Sequence, residues 1–166
     1  MYTTIKDFLK DWSLESKGTL KVFNNLTDAS LSQRVTPEGR SLGFLAWHIV
    51  GTINEMLGDA GLAVEGPDEH APVPAKAADI ASAYEKSSAS LVEQVSRRWT
   101  DASLNEKVNM YGEQWKKKTV LLALIRHQVH HRAQMTVLMR QAGLKVPGLY
   151  GPSHEEWAQM GMKAPE

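Results

Sequence analysis

The chain has 166 residues, 19 Lys and Arg against 19 Asp and Glu, 42% hydrophobic residues and no cysteine. The length predicts one domain over residues 1–166, and the balanced charge argues against a nucleic-acid or anionic-membrane binder, since those depend on clustered Lys and Arg. The lack of cysteine excludes disulfides, thiolate nucleophiles and cysteine-ligated metals, so any transition metal has to be held by the six histidines and the carboxylates.

The first half of the chain carries two segments with helical periodicity. The first covers about residues 3–26. The second begins after Ser41, a residue suited to capping a helix, and Gly58 and Gly61 loosen its end. Residues recur at mostly helical spacing in both segments: Ile5, Phe8, Leu9, Trp12, Leu20, Phe23 and Leu26 in the first, and Leu42, Leu45, His48, Ile49, Ile53 and Met56 in the second.

Two further helical segments follow at about residues 75–99 and 119–142, and Gly143 is a suitable left-handed cap for the last one. The Pro-rich stretch 61–74 predicts a loop, and residues 108–115 carry a short extended signal. Four helices with intervening turns predict an all-α protein with the architecture of a four-helix bundle.

The two ends of the chain bear on the cellular location of the protein and on a short C-terminal helix. Residues 1–18 carry charges of both signs and lack the basic start and apolar core of a secretory signal. No apolar run reaches the ~18 residues of a membrane-spanning helix, so we expect a soluble, cytoplasmic protein. Near the other end, Ser153 and Glu156 match a capping box and predict a short C-terminal helix.

An internal similarity links the two halves. Residues 27–35, Thr-Asp-Ala-Ser-Leu-Ser-Gln-Arg-Val, recur as residues 100–108, Thr-Asp-Ala-Ser-Leu-Asn-Glu-Lys-Val. Thr-Asp-x-Ser is good helix-capping chemistry, which can arise twice independently. The alternative is a duplicated helix–connector–helix unit, which would give the bundle an approximate internal two-fold axis.

The fourth helical segment carries the strongest chemical signal. His127 and His131 are four residues apart, so their rings project side by side from one helix face. His130 lies about 100° further round and is expected to face outward. The two inward histidines belong to a stripe with steps of three and four: Leu124, His127, His131, Met135 and Leu138.

Two imidazoles one helical turn apart can chelate one divalent ion. His48 lies on the inward stripe of the second helix and is the predicted third ligand. A site of three histidines with an open position would bind water and lower its pKa, which is the condition for metal-assisted chemistry. Imidazole suits zinc, nickel, copper and ferrous iron.

Two other interpretations of the histidines stay open at this stage. Imidazoles on apolar helix faces also occur as packed core residues with no metal, although several buried together need polar partners. His130 or His154 could instead complete a closed, four-coordinate structural site. His70 lies in the Pro-rich loop and is expected to be solvated.

These residues resemble a known family. The run from His127 to Gln134, His-Gln-Val-His-His-Arg-Ala-Gln, resembles the His-x-x-x-His-Arg-x-Gln signature of the DinB/YfiT-like metalloenzymes. Leu-Ala-Trp-His, ending at His48, resembles the family's single histidine on the second helix. The segment 143–147 resembles the one after the last bundle helix. The resemblance covers about residues 3–148 and leaves 149–166 as a C-terminal extension.

The resemblance implies a four-helix bundle in a less usual arrangement, often dimeric, with one divalent metal on His48, His127 and His131. Zinc or nickel is the expected ion, with iron or manganese as alternatives. Some relatives are transferases or isomerases that place a low-molecular-weight thiol at the metal, and many have no assigned activity. We expect a homodimer from the family and from three apolar residues in the extension: Leu149, Tyr150 and Trp157.

Four further residues receive weaker assignments. Glu55 lies about two turns beyond His48 and is a candidate partner of the site or proton acceptor, although a solvated role is common for such a Glu. Arg132 is expected to serve packing or a salt bridge. Tyr111 and Trp115 precede the fourth helix and either line a pocket or pack.

Two functions follow from these observations. The first is a metal-dependent enzyme acting on a small molecule, either a hydrolase or a thiol-dependent transferase. The second is a non-catalytic, stress-related metal-binding or interaction protein with a structural metal site. No sequence motif specifies a substrate.

Overall fold

The computed structural model describes residues 1–68 and 70–165 and contains four long helices. A short antiparallel hairpin precedes the fourth helix, and a short helix follows it. The bounds are α1 Ile5–Phe23, α2 Leu42–Asp59, α3 Ala77–Arg98, β1 Lys107–Met110, β2 Glu113–Lys116, α4 Lys117–Gln141 and α5 Glu156–Gln159. The predicted all-α bundle with a short C-terminal helix is confirmed, and the hairpin accounts for the extended signal at residues 108–115.

Local capping chemistry sets two of these boundaries where the sequence predicted them. The Ser41 hydroxyl accepts a hydrogen bond from the backbone N–H of Phe44 at 3.1 Å and starts α2. Gly143 adopts φ +73°, and the next N–H, of Leu144, returns to the carbonyl of Met139 at 2.9 Å. The left-handed glycine thus satisfies a carbonyl that the end of α4 would leave unpaired.

The two helices of each half, α1 with α2 and α3 with α4, lie diagonally across the bundle. Helix α2 packs against α3 and α4, and α1 also packs against α3 and α4. This order agrees with the less usual arrangement that the sequence resemblance implies. Apolar side chains from all four helices fill the shared core, among them Phe8, Trp12, Ile49, Ile53, Leu91 and Leu121.

The two repeated connectors have the same local structure. Each forms a short 3₁₀ helix, at Asp28–Ser32 and at Ala102–Asn105. In the first, Ser30 donates its N–H to the Thr27 hydroxyl and its own hydroxyl accepts the Thr27 N–H. Ser103 and Thr100 exchange the same pair of bonds in the second.

Each connector also caps a helix of the other half. Asp28 accepts the N–H of Ala77, the first residue of α3, at 2.8 Å. Asp101 accepts the N–H of Ile5, the first residue of α1, at 2.7 Å. Capping motifs that arose independently would not be expected each to cap the first helix of the opposite half. The reciprocal contacts support the interpretation as a duplicated helix–connector–helix unit.

A buried ion pair fastens α4 to α1. Arg132 is 1% exposed, and its guanidinium donates to the Glu15 carboxylate at 2.5 Å, the Glu15 carbonyl at 2.8 Å and the Thr19 hydroxyl at 3.1 Å. The hydroxyl of Tyr150 joins the same cluster. The predicted packing or salt-bridge role of Arg132 is confirmed, and Tyr150 ties the C-terminal extension to the bundle.

One half of the predicted capping box is formed in the C-terminal extension. The Glu156 carboxylate accepts the N–H of Ser153 at 3.1 Å and that of Gly148 at 2.9 Å. The Ser153 hydroxyl makes no hydrogen bond within the described residues, so the reciprocal half is missing. Across residues 1–68 and 70–165, no helix is long and apolar enough to cross a bilayer.

The reciprocal caps predict matched losses of stability. Asp28→Ala and Asp101→Ala should each lower the free energy of unfolding by about 1 kcal/mol, because each leaves the first N–H of a helix without its acceptor. Urea unfolding would measure the loss. Asp28→Asn and Asp101→Asn keep an acceptor oxygen and are the controls. Alanine variants as stable as their asparagine controls would contradict the capping role.

Candidate metal centre

The packing of α2 against α4 brings three histidines together. His48 projects from α2, and His127 and His131 project from α4 one turn apart. His131 is buried, and the other two are partly exposed. The predicted inward stripe of α4 is confirmed by its buried apolar members Leu124, Met135 and Leu138.

The ring nitrogens converge on one point. The Nε2 atom of His127 lies 3.0 Å from Nε2 of His48 and 3.1 Å from Nε2 of His131. The three residues each offer a ligand atom, and these atoms all lie within 4.8 Å of one another. Two nitrogens bound at about 2.0–2.1 Å to one ion, at angles of 90–110°, lie about 2.9–3.4 Å apart. Both Nε2–Nε2 distances at His127 fall in this range, so this ring can share an ion with each of the other two.

Hydrogen bonding alone does not satisfy this arrangement. Each Nε2 carries either a proton or a lone pair, and the central Nε2 of His127 meets two others. The Nδ1 atom of His131 lies 2.8 Å from the Gln134 carbonyl oxygen, which requires a proton on Nδ1 and a lone pair on Nε2 of the neutral ring. If Nε2 of His127 donates its proton to that lone pair, it has no lone pair with which to accept a hydrogen bond from His48. If Nε2 of His127 instead accepts a hydrogen bond from His48, it has no proton to donate and its lone pair faces that of His131. A cation between the rings accepts all three lone pairs.

Gln134 fixes the tautomer of one candidate ligand. Its carbonyl accepts from Nδ1 of His131, and its amide nitrogen lies 3.1 Å from Nε2 of the exposed His130. Metal-binding histidines commonly donate their second N–H in this way, which orients the ring. Gln134 belongs to the family signature, and its spacing of three residues from His131 on one helix face is the sequence signal for this contact.

The surroundings keep the three imidazoles neutral. Burial, followed by the proximity of His131 and the other histidines, lowers the pKa of His127 from 6.5 to about 4. Burial also lowers the pKa of His48 and of His131. Neutral imidazole is the form that binds metals, so the site is ready for an ion at neutral pH.

The remaining histidines lie outside the group. His130 is exposed on α4, which confirms its predicted outward position. Its Nε2 atom lies 3.1 Å from the amide nitrogen of Gln134. His70 and His154 are both exposed. Among the residues that the structure describes, the group that could hold an ion contains only His48, His127 and His131. A closed site completed by His130 or His154 finds no support in this arrangement.

Glu55 and the two aromatic residues lie near the site rather than in it. Glu55 is exposed, and it accepts a hydrogen bond from the Tyr111 hydroxyl at 3.2 Å. Tyr111 packs edge-to-face against Trp115, with ring centroids 5.9 Å apart. Glu55 and His48 line the same cavity beside α2, with a volume of about 490 Å³.

The chain is similar to known proteins over nearly its whole length. The model of the DinB family matches residues 1–164. The uncharacterized protein YrdA of Bacillus subtilis (strain 168) is 46% identical over 166 residues, which cover all of this chain and 99% of that protein.

Two solved structures share the fold. A DinB-like protein from Bacillus cereus ATCC 10987 superposes with a TM-score of 0.87 at 46% identity, over 90% of this chain and all of that one. The DinB-like protein YjoA of Bacillus subtilis has a TM-score of 0.65 at 16% identity, over 82% of this chain and 92% of that one. The second likeness shows the fold alone.

The lowered pKa of His127 predicts a pH-dependent stability for the metal-free protein. An unfolded chain takes up this proton near pH 6.5, whereas the folded chain takes it up only near pH 4. Between these values the unfolded state binds more protons, so stability should be full above pH 6.5 and fall as the pH drops towards 4. Urea midpoints measured with chelator at pH 7.5, 6 and 5 would show this fall.

The matched variant for that experiment is His127→Gln, which cannot take up a proton. Its urea midpoint should fall less steeply with decreasing pH, although His48 and His131 still contribute. An unchanged slope would show that His127 titrates normally in the folded protein.

The contact with Gln134 predicts an effect on metal affinity. Gln134→Met should weaken the binding of zinc about 10- to 100-fold, because Nδ1–H of His131 loses its acceptor. A competition titration with a chromophoric chelator measures this. Gln141→Met, at the exposed end of α4, is the control and should bind zinc as the unaltered protein does. Equal affinities for the two variants would refute the orienting role.

Proposed function

The chain belongs to the DinB family, and we propose that it is a metal-dependent enzyme whose His48, His127 and His131 hold one divalent ion with a coordination position left open. The observation that carries the proposal is the convergence of three neutral Nε2 atoms that cannot satisfy one another by hydrogen bonding. Zinc or nickel, both of which imidazole suits, is the proposed ion, and iron and manganese are the alternatives.

The surroundings of the histidines support an open site. No fourth protein ligand joins the three within the described residues. His48 and His127 are partly exposed, and His48 borders the cavity beside α2. A catalytic metal site differs from a structural one in keeping such a position for water or substrate.

The chain's own groups have distinct roles in this proposal. A divalent ion here would lower the pKa of a bound water or small thiol, which suits hydrolysis or thiol transfer to an electrophile. Gln134 holds the proton of His131 at Nδ1 and so keeps Nε2 available. Glu55 is the carboxylate placed in the cavity to accept a proton. The thiol version rests on the likeness to family members that use such thiols.

The alternative is a structural metal site in a non-catalytic protein, which would need a closed set of four ligands, whereas the described group contains three. In that case removal of the ion would lower stability and abolish no turnover.

The partners belong to the same proposal. A small molecule is the proposed substrate, and a homodimer the proposed assembly. Of the three apolar residues that suggested a dimer, Tyr150 is exposed, whereas Leu149 packs partly against the core and Trp157 is partly buried. Of these three residues, only Tyr150 therefore offers a largely exposed apolar surface.

Elemental analysis tests the metal site directly. Protein purified without a polyhistidine tag or chelator should contain about one zinc, nickel or similar ion per chain, and His127→Ala with His131→Ala should contain none. His70→Ala with His154→Ala removes two histidines elsewhere and should retain the ion. Loaded protein would then be screened with thiols and electrophiles. Metal-free protein that takes up no zinc, nickel or iron on titration would overturn the proposal.

A further inference from the structure

A groove runs along α2 from His48 towards the C-terminal end of the helix. It is the cavity of about 490 Å³ described above, bounded on one side by α2 and on the other by the Pro-rich loop. Five of the α2 residues that line it follow one another at steps of four and three, so they form a single stripe on the helix. They are Phe44, His48, Gly51, Glu55 and Gly58.

Hydrogen bonds from α2 side chains fix the position of the loop beside the helix. The indole N–H of Trp47 donates to the carbonyl of Ala71 at 3.0 Å. The amide nitrogen of Asn54 donates to the carbonyl of Pro67 at 3.1 Å. A Cβ at Gly51 would lie 4.0 Å from Pro67, so any larger side chain there would occupy the space between helix and loop. The groove is thus preformed, as ligand sites usually are.

The lining combines aromatic and apolar walls with carboxylates. Phe44 and Trp47 lie near the His48 end, and Glu55, Asp59 and Asp68 are exposed along the remainder. None of the described lining residues is Lys or Arg. The aromatic end of the lining suits an apolar body, and the carboxylate end suits a positive charge.

A contact from the hairpin agrees with this polarity. The Tyr111 hydroxyl at the hairpin tip donates a hydrogen bond to the Glu55 carboxylate at 3.2 Å. Burial, together with the charges of Glu55 and Asp59, raises the pKa of Tyr111 to about 12. This end of the groove therefore carries negative potential.

We propose that this groove binds the cationic end of a small organic substrate, an ammonium or guanidinium on an apolar body, whose other end lies at His48. Glu55 is seven residues beyond His48, so the cation lies about 10 Å along the helix from the metal centre. The cation-binding part stands on the groove alone, and the placement of the reacting end rests on the proposed function.

The opposite end of α2 favours the same orientation. The guanidinium of Arg40 lies 5.2 Å from the ring centroid of Phe44, which stacks on His48 with centroids 5.8 Å apart. Positive charge therefore borders the histidines while negative charge borders the far end of the groove. A bound cation is repelled from the first and attracted to the second.

The test uses three probes of matched shape: 4-phenylbutylammonium, 4-phenylbutanol and 4-phenylbutyrate. Binding is followed by NMR through the indole N–H of Trp47, assigned with Trp47→Phe. The ammonium should bind about fivefold or more tightly than the alcohol, since exposed carboxylates contribute modestly, and the carboxylate should bind weakest. Added salt should narrow the difference.

Paired variants locate the effect. Glu55→Gln with Asp59→Asn should abolish the preference for the ammonium while leaving the alcohol's affinity unchanged. Asp7→Asn with Glu85→Gln makes the same change of net charge at exposed positions on α1 and α3 and should keep the preference. Equal binding of ammonium and alcohol, no binding of either, or a preference retained without Glu55 and Asp59 would overturn the proposal.

The same titrations with metal-loaded and chelator-treated protein separate this inference from the proposed function. A preference for the ammonium in protein that takes up no metal would leave the groove assignment standing and the metalloenzyme proposal refuted. Metal uptake without a preference for the ammonium would leave the metalloenzyme proposal standing and refute the groove assignment. An unchanged Trp47 resonance in the free variants confirms that they are folded.

Discussion

The buried charge of Arg132 determines the rotation of α4 about its own axis. The guanidinium of Arg132 is almost fully enclosed and therefore requires the carboxylate of Glu15 on α1. His131 is the preceding residue, about 100° away on the helix surface. With Arg132 facing α1, His131 faces α2, where His48 lies. A neutral residue at position 132 would relax this constraint on the orientation of the candidate ligands.

Periodicity and capping chemistry are local, and they predicted most of the fold. The four helices, the cap at Ser41, the left-handed Gly143 and the inward histidine stripe all depend on residues within a few positions of one another. The pairing of His48 with His127 and His131 required only the knowledge that two inward stripes meet.

Contacts between distant segments escaped sequence reasoning. Glu15 is 117 residues from Arg132, and nothing in its neighbourhood marks it as the partner of a buried charge. The sequence shows Asp28 and Asp101 as members of a repeat, but their bonds to the opposite half depend on the assembled bundle. The groove likewise arises where Pro67, Asp68 and Ala71 of the loop lie beside α2, and neither segment shows it alone.

The position of the histidine group across the two halves has a mechanical consequence. His48 belongs to the first helix–connector–helix unit, and His127 and His131 belong to the second. An ion shared between them would act as a reversible cross-link closing a loop of 79 residues. In the chain-entropy model a link of that span removes about 4–5 kcal/mol of conformational freedom from the unfolded chain. A protein without cysteine would thereby gain the tethering that other proteins obtain from a disulfide, in a form governed by metal supply rather than by redox state.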